Sequence, residues 1–264
     1  MMTRTPAELL SGVPRIAGLL VIAVCLTSSL VGDDLTVGLS ADEVVDRMLE
    51  MNQARAAALQ QYTSERLYVA DNPHFSKRAE VSVQELYVRP GRKDLKIISV
   101  NGSAIVQHKV IDKLIEAEIE AARQENRDQT YVTPQNYEFR LIGIEEIDDR
   151  SCYVLDVTPR VQKKYLMQGQ IWVDASEFAI VRMEGSPAKN PSFWTKKVHF
   201  VRRYGKHGQF WLPASVESES DLWIAGKSTL RIEYSDYRIG AAAGARTDES
   251  ASSSPEELPD GPKR

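Results

Sequence analysis

The sequence predicts an α+β fold in which helices accompany an antiparallel β-meander. From Gln168 to Ile239, apolar and polar residues alternate with period two in one short segment after another. That pattern marks strands with one face on a core and the other towards solvent. The turn signals between segments, such as Asp174-Ala175-Ser176-Glu177 and Tyr204-Gly205-Lys206-His207-Gly208, are too short for the crossovers that parallel strands need. Outside the meander, two stretches carry the 3.6-residue apolar period of amphipathic helices.

The chain has 264 residues, enough for one sizeable domain or two small ones, and a net charge of −4. So mild a charge gives no push towards nucleic acid, and no nucleic-acid partner is expected. Residues 1–32 read as a signal peptide. Arg4 and Arg15 form a weak basic region, and Ile16 to Leu26 an apolar run too short for a comfortable membrane span. The protein is therefore expected to be exported to the periplasm. Cys25, in Ile22-Ala23-Val24-Cys25, has the position of a lipoprotein box. Val24 fits that box poorly, because the preceding residue is normally Gly, Ala or Ser. With the signal removed, Cys152 is the only cysteine left and no intramolecular disulfide can form. Alternation puts it on the side of Val154, which makes it a buried thiol rather than a nucleophile.

The domain is read over 39–239. Ser40-Ala41-Asp42-Glu43 is a capping box, and Val44, Val45, Met48, Leu49, Met51, Ala56 and Leu59 follow as a helical stripe. Asn52 and Arg55 interrupt its second half. Strands are expected at Tyr62–Ala70, Ala79–Val88 and Leu95–Val100, the last two as a hairpin. A second helix spans Ala104 to about Glu125, with Ile111, Leu114, Ile115 and Ile119 on its apolar face. Strands at Tyr137–Ile144 and Ser151–Val157 flank an acidic turn (Glu145, Glu146, Asp148, Asp149), and the meander follows. Inside it, Ser186 to Trp194 breaks the pattern and sets Phe193 and Trp194 at a rim. Lys196, Lys197, Arg202, Arg203 and Lys206 are read as a basic outer strand face. From Gly240 the composition turns to Ala, Gly, Ser, Glu and Pro, and 240–264 is read as a disordered tail.

Chemistry is sparsely signalled. The four histidines are scattered, and there is no Gly-x-Ser-x-Gly elbow, no phosphate loop and no zinc spacing. His108 and Asp112 stand four apart on a helix without a third ligand. No enzyme activity, no metal and no cofactor is expected.

The order of elements (helix, three strands, helix, long meander) combines with several strand phrases. These are Gly169-Gln170-Ile171-Trp172-Val173-Asp174, Phe178-Ala179-Ile180-Val181-Arg182-Met183-Glu184-Gly185, Phe210-Trp211-Leu212-Pro213 and Ile232-Glu233-Tyr234-Ser235-Asp236-Tyr237. In these the chain resembles the LolA/LolB-like superfamily of periplasmic outer-membrane lipoprotein-sorting proteins, whose relatives include the MucB/RseB-type envelope-stress sensors. The resemblance implies a strongly curved antiparallel sheet, an incomplete barrel covered by two or more helices, whose concavity holds acyl chains. It implies an exported, non-enzymatic carrier or binder of a lipid or lipoprotein acyl chain, monomeric, acting in outer-membrane lipoprotein sorting. The alternative is a sensor or interaction module with a filled core and an envelope protein as partner. The residues expected to line the site are Met48, Met51, Ile111, Leu114 and Ile115 from the helices, and Ile171, Val173, Phe200 and Leu212 from the sheet. The family's carriers control their closed state with a strand arginine; Arg66 is the candidate here.

Overall fold

The computed structural model describes residues 38–122, 130–163, 165–190, 195–223 and 226–240. The signal segment, Cys25, the Phe193–Trp194 rim and the tail beyond Gly240 lie outside the described residues.

Helix α1 (Ala41–Ala58) leads into β1 (Gln61–Asn72), β2 (Lys77–Val88) and β3 (Arg92–Gly102). Helix α2 covers 104–122. It begins with one α-turn (Ala104–Val106), widens to a π turn (Gln107–Ile111) and continues as α-helix (Asp112–Ala122). The meander comprises β4 (Tyr137–Ile147), β5 (Arg150–Pro159), β6 (Met167–Asp174), β7 (Ile180–Pro187), β8 (Thr195–His207), β9 (Phe210–Leu222) and β10 (Gly226–Gly240). The capping box at Ser40 forms in both directions. Glu43 N–H donates to Ser40 Oγ at 3.3 Å, and Ser40 N–H to Glu43 Oε2 at 2.8 Å.

All ten strands form one antiparallel sheet in the order β3-β2-β1-β10-β9-β8-β7-β6-β5-β4. The last strand returns to pair with the first, Gln61 opposite Gly240. The sheet therefore has its edges at β3 and β4 and is not closed, as an incomplete barrel requires. Bulges at Thr63/Glu65, Ser82/Val83, Leu141/Gly143, Trp172/Val173 and Arg203/Tyr204 bend the strands. At Gly169, opposite Gly185, β6 and β7 approach too closely for any side chain. A Cβ on Gly169 would stand 2.1 Å from the Glu184 carbonyl oxygen.

Two local readings are corrected. Gly205 to His207 belong to β8, and the turn is only Gly208-Gln209, with Gly208 at φ 62°. Such two-residue hairpins favour a positive-φ glycine. Phe178 is not in a strand; it closes the β6–β7 turn at φ 49°. The acidic turn is confirmed as a tight hairpin, with Asp148 and Asp149 both at positive φ.

Candidate functional site

One row of paired residues crosses the whole sheet on its inner face. It runs Val100, Val81, Tyr68, Ile232, Val216, Arg202, Met183, Ile171, Leu155, Leu141, one residue from each strand. Nine are apolar or tyrosine; Arg202 is the one charge. Both helices pack on this face. Val44, Val45 and Met48 of α1 join Leu155, Val157, Ile171 and Val173 of β5 and β6. Ile111 and Ile115 of α2 join Tyr68, Val81, Val83, Val216 and Ile232 of β1, β2, β9 and β10.

The residues expected to line an acyl-chain site are distributed accordingly. Met48, Ile171 and Val173 are fully buried in the α1 half, with Phe200 packed against them. Ile111, Leu114 and Ile115 lie in the α2 half. Leu212 belongs to a third cluster with Tyr62 and Phe210. Met51, 40 % exposed, joins none of these clusters, because the second half of α1 turns its stripe off the core. There Arg55 donates instead to the carbonyls of Glu177 (2.9 Å) and Phe178 (3.0 Å), tying α1 to the β6–β7 turn.

Within the α2 half, on β1 to β3, lies a buried charge cluster that the apolar pattern did not announce. Arg66, only 2 % exposed, makes a two-pronged ion pair with Glu85 on β2, Nε to Oε2 at 2.9 Å and Nη2 to Oε1 at 2.5 Å. Its Nη1 donates to Glu118 Oε2 on α2 at 2.7 Å and to the Tyr68 hydroxyl at 3.1 Å. Ser64 and Tyr62 donate to the Glu85 carboxylate at 3.0 and 3.2 Å. Lys93 on β3 donates to Glu118 Oε1 at 2.8 Å. The Arg66 guanidinium also sits over the Tyr234 ring, 4.9 Å from its centroid. Burial opposes the charge of Arg66, but Glu118 and Glu85 outweigh it and raise its pKa. Burial likewise pushes the Glu118 carboxyl up, yet Lys93 and Arg66 prevail and hold it at about 2. Arg66, the candidate gating residue, is thus the link between the sheet and α2.

Arg202 requires a correction. It does not belong to the outer basic face, because alternation places it inward with Val198, Phe200 and Tyr204, opposite Val216 and Met183. It is half-buried, and Tyr204 and Tyr234 beside it raise its pKa against the effect of burial. The Tyr204 hydroxyl donates to Met183 Sδ at 3.2 Å. Among the described residues no carboxylate pairs with Arg202. The signal for Glu85 and Arg202 was in the sequence: each is a charge at a register position that its strand otherwise fills with apolar or aromatic residues; Arg66 shares its row with Ser64 as well as with Tyr62, Tyr68 and Ala70.

The remaining polar features have structural roles. A depression of about 500 Å³ is lined by Asp148, Asp149, Arg150 and Asp174. Asp174 is engaged within its turn: it accepts from the Ser176 and Glu177 amides and pairs with Arg150 at 2.9 Å. Cys152 is buried on the outer face with Val154, Trp172 and Val181. Burial, then the charge of Asp174, push its thiol up to about 11, which keeps it protonated and unreactive. His108 and Asp112 meet at 2.7 Å, and no group of three metal-ligating side chains exists among the described residues.

Several solved structures are similar to this chain. A LolA superfamily protein from Nitrosomonas europaea matches at 15 % identity and a TM-score of 0.37, over 77 % of this chain and 95 % of that one. A DUF1329 family protein from Desulfovibrio piger matches at 16 % identity and a TM-score of 0.41, over 76 % and 94 %. A putative outer membrane lipoprotein-sorting protein domain from Vibrio parahaemolyticus matches at 13 % and 0.38, over 77 % and 95 %. MucB, which is also seen with MucA, matches at 15 % and 0.26, over 80 % and 62 %. They include the superfamily that the strand phrases resemble. A family model described as an uncharacterized protein matches residues 123–244. No curated protein matches the sequence. At these identities and scores none of the likenesses carries a function across.

Proposed function

We propose that this chain is an exported, non-enzymatic binder or carrier of acyl chains, with a role in outer-membrane lipoprotein sorting as its specific form. The observation that carries the reading is the largely apolar row across an open ten-stranded sheet, on whose two halves separate helices pack. An open sheet face of this width must be covered, and a cover that can lift becomes a site. Helix α2 is the cover that lifts. Among its described side chains only Ile111 and Ile115 are buried, and Glu118 ties it to Arg66 and Lys93. Charges held by one another in the closed form regain water when the helix moves, so the ion pairs act as a latch.

The test is native mass spectrometry of the exported chain, with lipid extraction and uptake of a fluorescent fatty acid. A bound acyl lipid, lost in Met48→Trp or Leu114→Trp, is the expected result. A protein that carries no lipid and takes up no fatty acid would end the carrier reading. A second reading, an interaction module, is favoured by edge strand β3. There Ile97, Ile98 and Val100 are 42–58 % exposed, beside backbone groups free to pair with an added strand. Its partner would be an envelope protein.

A further inference from the structure

We propose that Arg202 anchors the head group of the bound amphiphile, so that the ligand is an acyl or alkyl chain ending in an oxyanion, a carboxylate or a phosphate. The inference rests on the acyl-chain reading and gives its ligand a polarity. Arg202 is the only charge in the ten-residue inner row, and it stands on β8, where the α1 half (Met183, Phe200) meets the α2 half (Val216). A guanidinium placed there without a carboxylate partner has a cost that a purely structural face would not carry. Its fork geometry matches a carboxylate or phosphate with two parallel hydrogen bonds.

The charge balance of the cluster points the same way. Three cations, Arg66, Lys93 and Arg202, face two carboxylates, Glu85 and Glu118. Glu85 is held by the prongs of Arg66, and Glu118 is shared between Arg66 and Lys93. Arg202 has Tyr204 and Tyr234 beside it and, more weakly, the field of Glu118. When α2 lifts, Glu118 leaves with it. The exposed face then carries three cations against one carboxylate, so opening the site also makes it attract an anion. The apolar surface on either side of Arg202 takes the chain, and the arginine fixes which end lies at the centre of the sheet.

The experiment measures binding of palmitate, hexadecyl phosphate and uncharged hexadecanol to the full exported chain and to Arg202→Met and Arg202→Lys. Wild type should bind at least one of the two anions roughly tenfold or more tighter than the alcohol, and the better anion identifies the head group. Arg202→Met should lower that anion to the level of the alcohol while leaving the alcohol unchanged, which also reports that the variant is folded. Arg202→Lys should keep part of the preference. Equal binding of all three by wild type overturns the anchor and leaves acyl-chain binding intact; this comparison stands even where Arg202→Met fails to fold. Equal loss of anion and alcohol in a folded Arg202→Met also overturns it. Binding of none of the three overturns both the anchor and the acyl-chain reading.

Discussion

The helices that pack on the two halves of the inner face are of opposite character. Helix α1 is set in by a reciprocal capping box, by three fully buried side chains and by the Arg55 clamp on the β6–β7 turn. No ion pair between α1 and its apolar core is involved. Helix α2 contains a π turn near its start, leaves Ile105, Val110 and Ile119 at the surface, and is tied down through Glu118. Apolar burial holds at any pH and salt in the ordinary range, and has no release. A buried ion pair is strong when complete and costly when half broken. The contrast assigns permanence to α1 and movement to α2.

The largest effect expected is from Arg66→Met. It leaves Glu85, at 0 % side-chain exposure, without its two-pronged partner and with Lys93 alone at 3.6 Å, and loss of one partner of a buried pair costs roughly 3–5 kcal/mol. Chemical denaturation should show that loss, and Arg66→Met with Glu85→Met should recover most of it. A change below about 1 kcal/mol in the single variant would mean that the cluster does not hold α2. Next is Met48→Ala in the α1 half. Removing a fully buried methionine side chain should cost about 3 kcal/mol. Fatty-acid uptake should keep its wild-type rate, because α1 is not the moving part. If uptake in Met48→Ala accelerates as much as it does in a latch variant, the two halves are equivalent and the comparison fails.

The sequence announced these halves unequally. Period-two alternation located β1 to β5 to within a few residues, and Ser40 with Glu43 marked the start of α1 to the residue. The return of β10 to β1 was not legible. It is a pairing across most of the chain, and nothing local at Gln61 or Gly240 announces it. The latch was half legible. Arg66 stood out as a strand arginine, but its partner Glu118 is one of several glutamates on α2. Only the register of the sheet shows which of them points inward. Arg202 was read as outward because it sits next to Arg203, and a one-residue difference in facing decides between solvent and core.

Glu118→Gln cuts the latch at its helix end and should cost less than Arg66→Met, about 2 kcal/mol near neutral pH, since Glu118 keeps a quarter of its surface in water. Uptake of fatty acid should become faster. The sign of the pH effect follows from the lowered pKa. The carboxyl falls from an ordinary 4.5 to about 2 on folding. Its contribution is therefore complete above about pH 4.5 and lost as the pH falls towards 2. Wild type should lose denaturant resistance across that window, and Glu118→Gln should lose distinctly less. Parallel pH curves for the two proteins would show that Glu118 is not what holds α2.

The smallest effect sharpens the comparison from the other side. Ser40→Ala removes the side chain that accepts the Glu43 amide, while the backbone N–H of residue 40 still donates to the Glu43 carboxylate. Loss of such a cap costs about 1 kcal/mol. Because Val44, Val45 and Met48 remain buried one turn further on, the damage should stay in the first turn of α1. Hydrogen exchange should rise for the amides of 41–44 and stay unchanged in α2. Protection lost in α2 as well would mean that the two covers move together. Acyl-chain entry would then require the whole inner face to open, and the ion pairs at Glu118 would be one tie among many instead of the release point.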